Sequence, residues 1–294
     1  MDIIVKTINR LPRSWLGAIS RLRWRFPWLK AWWKRLTNVM RNRDVTIARG
    51  VGAGLRFNTG DSAVSFVMGT HDPLTQLALK LLLKPGMTFY DVGANVGFFS
   101  IIAARLTAPG GRVVAFEPLA ENARAIVHNA QLNDFTHLEV RQVALGGADG
   151  EASFSLSAEP TWGKLTSVGK KPDQYTGDTV VPVRRLDGLI EQAGLPAPDV
   201  MKIDVEGAEL EMLAGAERTL RERRPVLLIE LHGTNREVAG VLESLGYVAA
   251  VLGAPDDVAT AHWNANIIAA PAERADLAAT IAALRSPEAA ALAA

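Results

Sequence analysis

Three features of the sequence predict a doubly wound α/β fold, with a seven-stranded, mostly parallel sheet and a basic helical extension at the N-terminus. From Met87 onward, short apolar strands alternate with amphipathic helices, the rhythm of a parallel sheet covered on both faces. A glycine-bearing turn, Asp91-Val92-Gly93-Ala94-Asn95-Val96-Gly97, joins the first of these strands to a helix. Charge is divided unevenly. In residues 1–44 eleven Lys/Arg stand against Asp2 and Asp44, which puts this segment at +9; the total is +1, so the rest of the chain is at −8.

Taken in order, residues 1–44 read as a basic, Trp-rich leader of two amphipathic helices separated at Pro27, holding five of the seven tryptophans. Such a segment suits an anionic membrane surface, contacted through residues 10–42, because Trp favours the interface and Lys/Arg favour anionic headgroups. The same stripes also suit docking on the acidic body or on a second copy in a homo-oligomer. Residues 45–85 form a lead-in with a small β-element and a helix over 72–83. The main domain, 86–270, starts with a strand at 87–92, a helix at 97–106, a strand at 112–117, a helix at 119–131 and a strand at 137–143. The rhythm changes at Gly146: 151–157 and 179–184 read as an antiparallel hairpin around a polar loop, 158–178. A long polar loop in an α/β sheet suits a lid, with Trp162 and Lys164 on it. Parallel character resumes with a strand at 200–204, a helix at 209–221, a strand at 225–231, a helix at 237–245 and strands at 247–252 and 266–270. The Ala-rich tail, 271–294, reads as either a helix or a frayed end.

Composition removes several functional classes. A hydrophobic content of 48% in 294 residues excludes disorder along the whole chain. The absence of cysteine excludes disulfides, thiolate metal sites and a cysteine nucleophile. Met1–Arg10 lacks the apolar run of a secretory signal, and no stretch reaches the roughly 18–20 uncharged apolar residues of a membrane span. The expected location is cytoplasmic, with peripheral placement at the inner membrane face if the leader binds lipid.

The turn after the first strand carries the first chemical signal. Gly93 permits a close backbone approach, and the helix beginning near Gly97 presents free N–H groups toward the turn. The spacing is Gly-x-x-x-Gly rather than the Gly-x-Gly-x-x-Gly of dinucleotide enzymes. Glu117 ends the next strand, 24 residues beyond Gly93, where a carboxylate can accept hydrogen bonds from both ribose hydroxyls of a nucleoside. From the residues alone, a nicotinamide cofactor and a ligand-free tight turn both stay open, although nothing later in the chain reads as hydride-transfer machinery.

Lys84-Pro-Gly-Met-Thr-Phe-Tyr-Asp-Val-Gly-Ala-Asn-Val-Gly-Phe-Phe-Ser100, Ala115-Phe-Glu-Pro118, Lys202-Ile-Asp-Val-Glu-Gly-Ala-Glu-Leu210 and Leu228-Ile-Glu-Leu-His232 resemble the FkbM family of class I methyltransferases. Gly69-Thr-His-Asp-Pro-Leu74 resembles that family's lead-in, where a Tyr-Glu pair is more usual than His71-Asp72. The resemblance runs over about residues 50–270 and leaves out the leader and tail. It implies a Rossmann-like methyltransferase sheet, S-adenosylmethionine (SAM) as cofactor, and usually a hydroxyl oxygen of a sugar, glycolipid or polyketide as acceptor. It also implies that Asp91, Gly93, Asn95 and Gly97 hold the methionine portion and Glu117 the ribose, while Gln142, Val143 and Ala144 border the adenine.

Given that implied reaction, the acceptor needs alignment with the methyl group and removal of its hydroxyl proton. Ligands of such sheets sit beyond the carboxyl ends of the strands, which selects Asp204 and Glu206 after one strand and Glu230 and His232 at the end of the next. His232 is the preferred base, because imidazole titrates nearest neutrality; Asp204 and Glu206 would position the acceptor. No metal is expected, although Asp204, Glu206 and His232 form a chemically plausible set for a divalent ion on a diol. Asp187 reads as a helix cap. The expected partner is a small-molecule or lipid-linked hydroxylated substrate. Two other classes remain: a non-catalytic module acting through its leader, and a nucleic-acid methyltransferase. The second is disfavoured by the acidic body and by the lack of an Asn/Asp-Pro-Pro-aromatic segment.

Overall fold

The computed structural model describes residues 41–157, 163–165, 175–286 and 288–289. The leader expected over 1–44 falls, up to residue 40, outside the described residues, as does Trp162. The chain opens with a small antiparallel pair, β1 (Asp44–Thr46) and β2 (Arg56–Asn58). Two helices follow, α1 (Ser65–Met68) and α2 (Pro73–Leu82); Asp72 caps the second by accepting a hydrogen bond from Thr75 N.

The repeating unit then begins: β3 (Thr88–Val92), α3 (Phe98–Thr107), β4 (Arg112–Phe116), α4 (Ala120–Gln131) and β5 (Leu138–Arg141). Four strands form a separate small sheet, β6 (Ala144–Leu145), β7 (Gly150–Ser157), β8 (Gly163–Leu165) and β9 (Tyr175–Arg184), in the order β6-β9-β7-β8. The insertion is therefore more than a hairpin: β8 lies in the expected polar loop and pairs with β7.

The main sheet continues through α5 (Leu186–Ala193), β10 (Val200–Ile203), α6 (Glu209–Gly215), α7 (Glu217–Glu222) and β11 (Val226–Glu230). It ends with α8 (Asn235–Ser244), β12 (Tyr247–Val251), β13 (Asn266–Pro271) and α9 (Ala278–Arg285). The sheet has seven strands in the order β12-β13-β11-β10-β3-β4-β5. Only β13 runs against its neighbours. The Ala-rich tail, for which two readings were open, forms a helix over Ala278–Arg285 that buries Leu284.

The central strands are apolar on both faces because helices cover both. Successive side chains point to opposite sides. Phe89, Val113, Val200 and Leu228 pack with Leu79 of α2 and Ile101 and Ile102 of α3, whereas Tyr90, Val114, Met201 and Leu227 pack with Leu186, Met212, Leu220 and Val238. The lead-in is part of this core rather than an appendage. Phe57 of β2 is fully buried, edge-on to Phe66 and Phe98 at 6.1 and 5.8 Å. From β3 the chain moves to one side, to β4, while β10 lies on the other side of β3 and leads to β11. The crevice beyond the carboxyl ends of β3 and β10 is thus the topological switch point where this architecture binds ligands.

One expected helix, 209–221, is broken at Ala216. Gly215 lets the Gly146 carbonyl approach so closely that a Cβ would overlap it. Asp187, expected to cap a helix, does so for the second piece rather than for its own: Oδ2 accepts from Arg218 N at 2.9 Å, and Oδ1 accepts from Thr219 N and Oγ1 at 2.9 and 2.7 Å. These are the first free amides of α7, satisfied from across the fold. No helix among the described residues is long and apolar enough to cross a membrane.

Asp187→Ala leaves those buried donors without a partner, and we expect a loss of about 2–4 kcal/mol in unfolding free energy. Urea denaturation of the variant beside the wild type measures it.

Candidate functional site

The site grows from the end of β3. Gly93 takes a left-handed φ of 76°, and a Cβ on it would overlap the Asp204 carbonyl oxygen at the end of β10. Asn95 is also left-handed, at φ 52°. Gly97, at φ 84°, turns the chain into α3, with Ile126 of α4 packed against it. The 93–97 turn is thereby pressed between β10 and α4, with the amides of α3 facing into it.

Glu117 follows β4 and is only 5% exposed. Its Oε2 accepts from Asn95 N at 2.9 Å; its Oε1 accepts from Leu119 N at 2.9 Å and, more weakly, from Asn122 Nδ2 at 3.4 Å. Burial pushes its pKa up to about 7 against those hydrogen bonds. Around it lies a cleft walled by Gly93, Asn95, Asn122, Val143, Ala144, Leu145 and Phe154. Its polar lining includes Glu117, Asn122 and the turn, and its apolar lining Val143–Leu145 and Phe154.

A second cavity opens on the other side of the turn, lined by Phe66, His71, Phe98, Phe99, Lys202, Glu230, His232 and Trp263. The two share Gly93, Asn95, Asp204 and Glu206 as a common wall. Glu206 sits in this wall with a left-handed φ of 53°, the sparsely populated geometry that tends to occur at functional loops.

Charges in the second cavity are paired both along β10 and the segment after it and across to β11 and α6. Lys202 is buried, 3.1 Å from Asp204 Oδ2, with its ammonium 5.0 Å from the centre of the Phe99 ring. Burial opposes its charge, but Asp204, Asp91 and Glu230 outweigh that and hold the ammonium above its ordinary value. His232 has Nδ1 at 2.9 Å from Glu209 Oε1, while Nε2 lies 3.4 Å from Glu206 Oε2 and 4.0 Å from both Asp204 Oδ1 and Glu230 Oε1. Burial lowers the pKa of His232, but the bond to Glu209 and the charges of Glu206 and Asp204 carry it up to about 9. Burial and Asp204 push Glu230 up to about 7. Burial works to raise Asp204, yet Lys202 and His232 bring it below the usual carboxylate value. His71 goes the other way, pushed down by burial, with Nδ1 3.3 Å from Ser65 Oγ and its ring against Phe66.

The sequence-derived residues are placed unequally. Gly93, Asn95, Glu117, Val143 and Ala144 wall the first cleft, and Asp204, Glu206 and His232 meet in the second cavity. Asp91, Gly97 and Gln142 line neither. Asp91 is wholly buried and accepts from Ser100 Oγ at 2.6 Å, so it braces the turn from beneath. Gly97 serves packing, and Leu145 lies in the wall where Gln142 was expected. Reasoning from sequence did not assign Lys202 or Glu209 a role, although both stand in the Lys-Ile-Asp-Val-Glu-Gly-Ala-Glu motif, and a charged residue on a buried strand was a usable signal. Trp263 and Phe154 gave none. Trp162 lies outside the described residues, as does the side chain of Lys164.

Asp204, Glu206 and His232 each offer a ligand atom within 4.8 Å of the others, close enough for one divalent cation. Lys202 already places a positive charge on Asp204, which competes with such an ion. The first cleft suits a nucleoside: a buried carboxylate with a lone pair to spare faces space beside an apolar wall, and the Gly93 cradle is one that a side chain would fill.

Comparison with known proteins finds a family model described as "Methyltransferase FkbM domain" matching residues 91–250. AMB antimetabolite synthetase AmbE from Pseudomonas aeruginosa is 30% identical over 52% of this chain, a stretch that is 9% of that protein. Hexuronic acid methyltransferase AglP from Haloferax volcanii is 29% identical over 53% of this chain and 62% of its own length. 31-O-demethyl-FK506 methyltransferase FkbM from Streptomyces tacrolimicus is 30% identical over 56% of this chain and 74% of its own. The chain thus spans less than two thirds of two of these three relatives.

Gly93→Ala combines an unfavourable φ with an overlap on the Asp204 carbonyl. The expected cost is at least about 1–3 kcal/mol of stability, read by chemical denaturation, with β3 and β10 forced apart at the shared wall.

Proposed function

This chain belongs to the FkbM family of SAM-dependent methyltransferases, and we propose that it transfers the methyl group to a hydroxyl oxygen of a sugar, glycolipid or polyketide-type acceptor. One observation carries the reading: a cleft suited to a nucleoside and a cavity holding a histidine among carboxylates share the wall Gly93, Asn95, Asp204 and Glu206. The relative named for 31-O-demethyl-FK506 supports oxygen as the acceptor atom, and the one named for a hexuronic acid supports a sugar-type acceptor.

In the cleft, Glu117 would hold the ribose. Its Oε2 has one lone pair free for a hydroxyl, and a second hydroxyl would displace the long Asn122 contact on Oε1. Val143, Ala144, Leu145 and Phe154 would face the adenine, and Gly93 and Asn95 the methionine portion. Bound there, SAM would supply an activated methyl group for transfer to the acceptor oxygen, the sulfur keeping the electron pair of the broken S–C bond. The protein aligns the acceptor oxygen and takes its proton. Nε2 of the neutral His232 ring, the form favoured above its pKa of about 9, takes that proton, and Asp204 and Glu206, at its side, orient the hydroxyl. Labelled SAM incubated with the protein and extracts of its source cells, followed by identification of the labelled product, tests the reading; label on nitrogen or carbon, or none transferred, overturns it.

Glu117→Ala should weaken SAM binding by tens to hundreds of fold, about 2–4 kcal/mol. The ionised carboxylate is the form that accepts from ribose, and in the free protein it titrates near 7. Affinity is therefore expected to be full above that pH and to fall, by up to about tenfold per unit, as pH drops below it. Calorimetry at pH 5.5, 7 and 8.5 checks both statements, and Glu117→Gln should abolish the pH dependence.

His232→Ala should lower the single-turnover rate by about 10²–10⁴ while SAM affinity stays near wild type. Rapid quench with labelled SAM measures the first and calorimetry the second. A chelator should leave the rate unchanged; loss with EDTA and recovery with magnesium would instead assign the three ligand atoms to a metal.

A further inference from the structure

We propose that Glu209 is a positioning residue for this reaction, holding the Nδ1–H of His232 so that Nε2 faces the acceptor cavity as the proton-accepting atom. The inference rests on the O-methyl-transfer reading above. Its basis is the environment of the Glu209 carboxylate.

An acidic residue in the first turn of a helix ordinarily faces solvent, where it interacts with the free amides nearby. Glu209 is instead 0% exposed. Its Oε1 accepts from Gly207 N at 2.9 Å and lies 2.9 Å from His232 Nδ1; its Oε2 accepts from Thr234 Oγ1 at 2.8 Å. A carboxylate oxygen only accepts, so the proton on that contact belongs to Nδ1, and the lone pair of the neutral ring falls on Nε2. That atom faces the common wall, with Asp204 and Glu206 from the loop after β10 and Glu230 from the end of β11 around it. Lys202 sits behind Asp204, His71 lines the same cavity from the connection between α1 and α2, and the Trp263 ring stands edge-on to the imidazole at 6.4 Å. Glu209 thus fixes the tautomer and ring orientation before an acceptor arrives. As the hydroxyl proton moves to Nε2, the imidazolium that forms is stabilised by the carboxylate on its far side, the role of the third member in acyl-transfer triads.

Glu209→Gln isolates the charge. The amide oxygen can keep both bonds made by Oε1, and the Thr234 hydroxyl can turn to accept from the amide nitrogen, so the fold is expected to hold. Three readouts decide the proposal. The first is the NMR titration of the His232 ring in the full chain, its signal identified among the five histidines by its loss in His232→Gln. The wild type should titrate near 9, and Glu209→Gln lower by about 1–2 units. The second is the pH–rate profile for label transfer from SAM in source-cell extract, whose acidic limb should move in the same direction. Third, Glu209→Asp, which keeps the charge one methylene shorter, should recover part of the shift. A His232 titration within a few tenths of wild type in Glu209→Gln overturns the coupling. A moved titration with an unmoved rate profile overturns the role in the reaction and leaves the methyl-transfer reading standing. Absence of label transfer by the wild type overturns that reading, and the role with it, while the titration still reports the coupling separately.

Discussion

The pairing of β3 with β10 is the contact on which the rest of the site depends. Val92 lies opposite Ile203, and one residue further Gly93 meets the Asp204 carbonyl with no side chain between them. Because the chain leaves the two strands in opposite directions, nothing in the sheet fills the space beyond their ends. Two loops, 93–97 and 204–208, then become one wall with a cleft on each side. A wider separation at Gly93 would move Asp204 and Glu206 away from the turn that faces the cofactor cleft, and methyl transfer is sensitive to shifts of this size.

Around that wall the electrostatics divide the ionisable groups by role. At an effective dielectric of about 20, two unit charges 4 Å apart interact by about 4 kcal/mol, enough to move pKa values by units. Lys202 and His232 overcome the burial of Asp204 and keep it ionised, whereas Glu230 and Glu117 lack so close a cation and rise to about 7. His71 is driven toward its neutral form and His232 toward its charged one, within the same cavity. Groups of the same type with values pushed apart by their surroundings are the pattern of a site that handles protons.

The parts of the site that could be read from the chain were local ones. A glycine turn between an apolar strand and a helix, followed 24 residues later by an acid at the next strand end, brings Gly93 and Glu117 to one cleft, because strand, turn and helix dictate where they point. For Asp91, which the resemblance put beside the methionine portion, the fold adds a partner that the chain does not reveal. In a strand covered on both faces, alternation does not reveal which side chains turn inward, and Asp91 braces the turn through Ser100 instead of lining the cleft. The resemblance put Gln142, Val143 and Ala144 at the adenine, whereas Val143, Ala144 and Leu145 wall the cleft. Asp187 caps a helix, as its sequence context predicts, yet that helix begins 30 residues later and meets it only through the fold.

The sequence by itself determined the fold class, the order of most strands and helices of the main sheet, and Glu117 as a carboxylate of the first cleft. These follow from hydrophobic periodicity and turn chemistry, which act over a few residues. Only the tertiary structure decided that Glu209 is buried against His232, that Lys202 rests on Asp204, and that His71 and Trp263 share their cavity. Apart from Lys202 and Asp204, which are two positions apart, those relations join residues from 23 positions apart in the case of Glu209 and His232 to well over a hundred between His71 and Lys202. They depend on which strands lie side by side and how closely the loops approach, and local propensity carries no record of either.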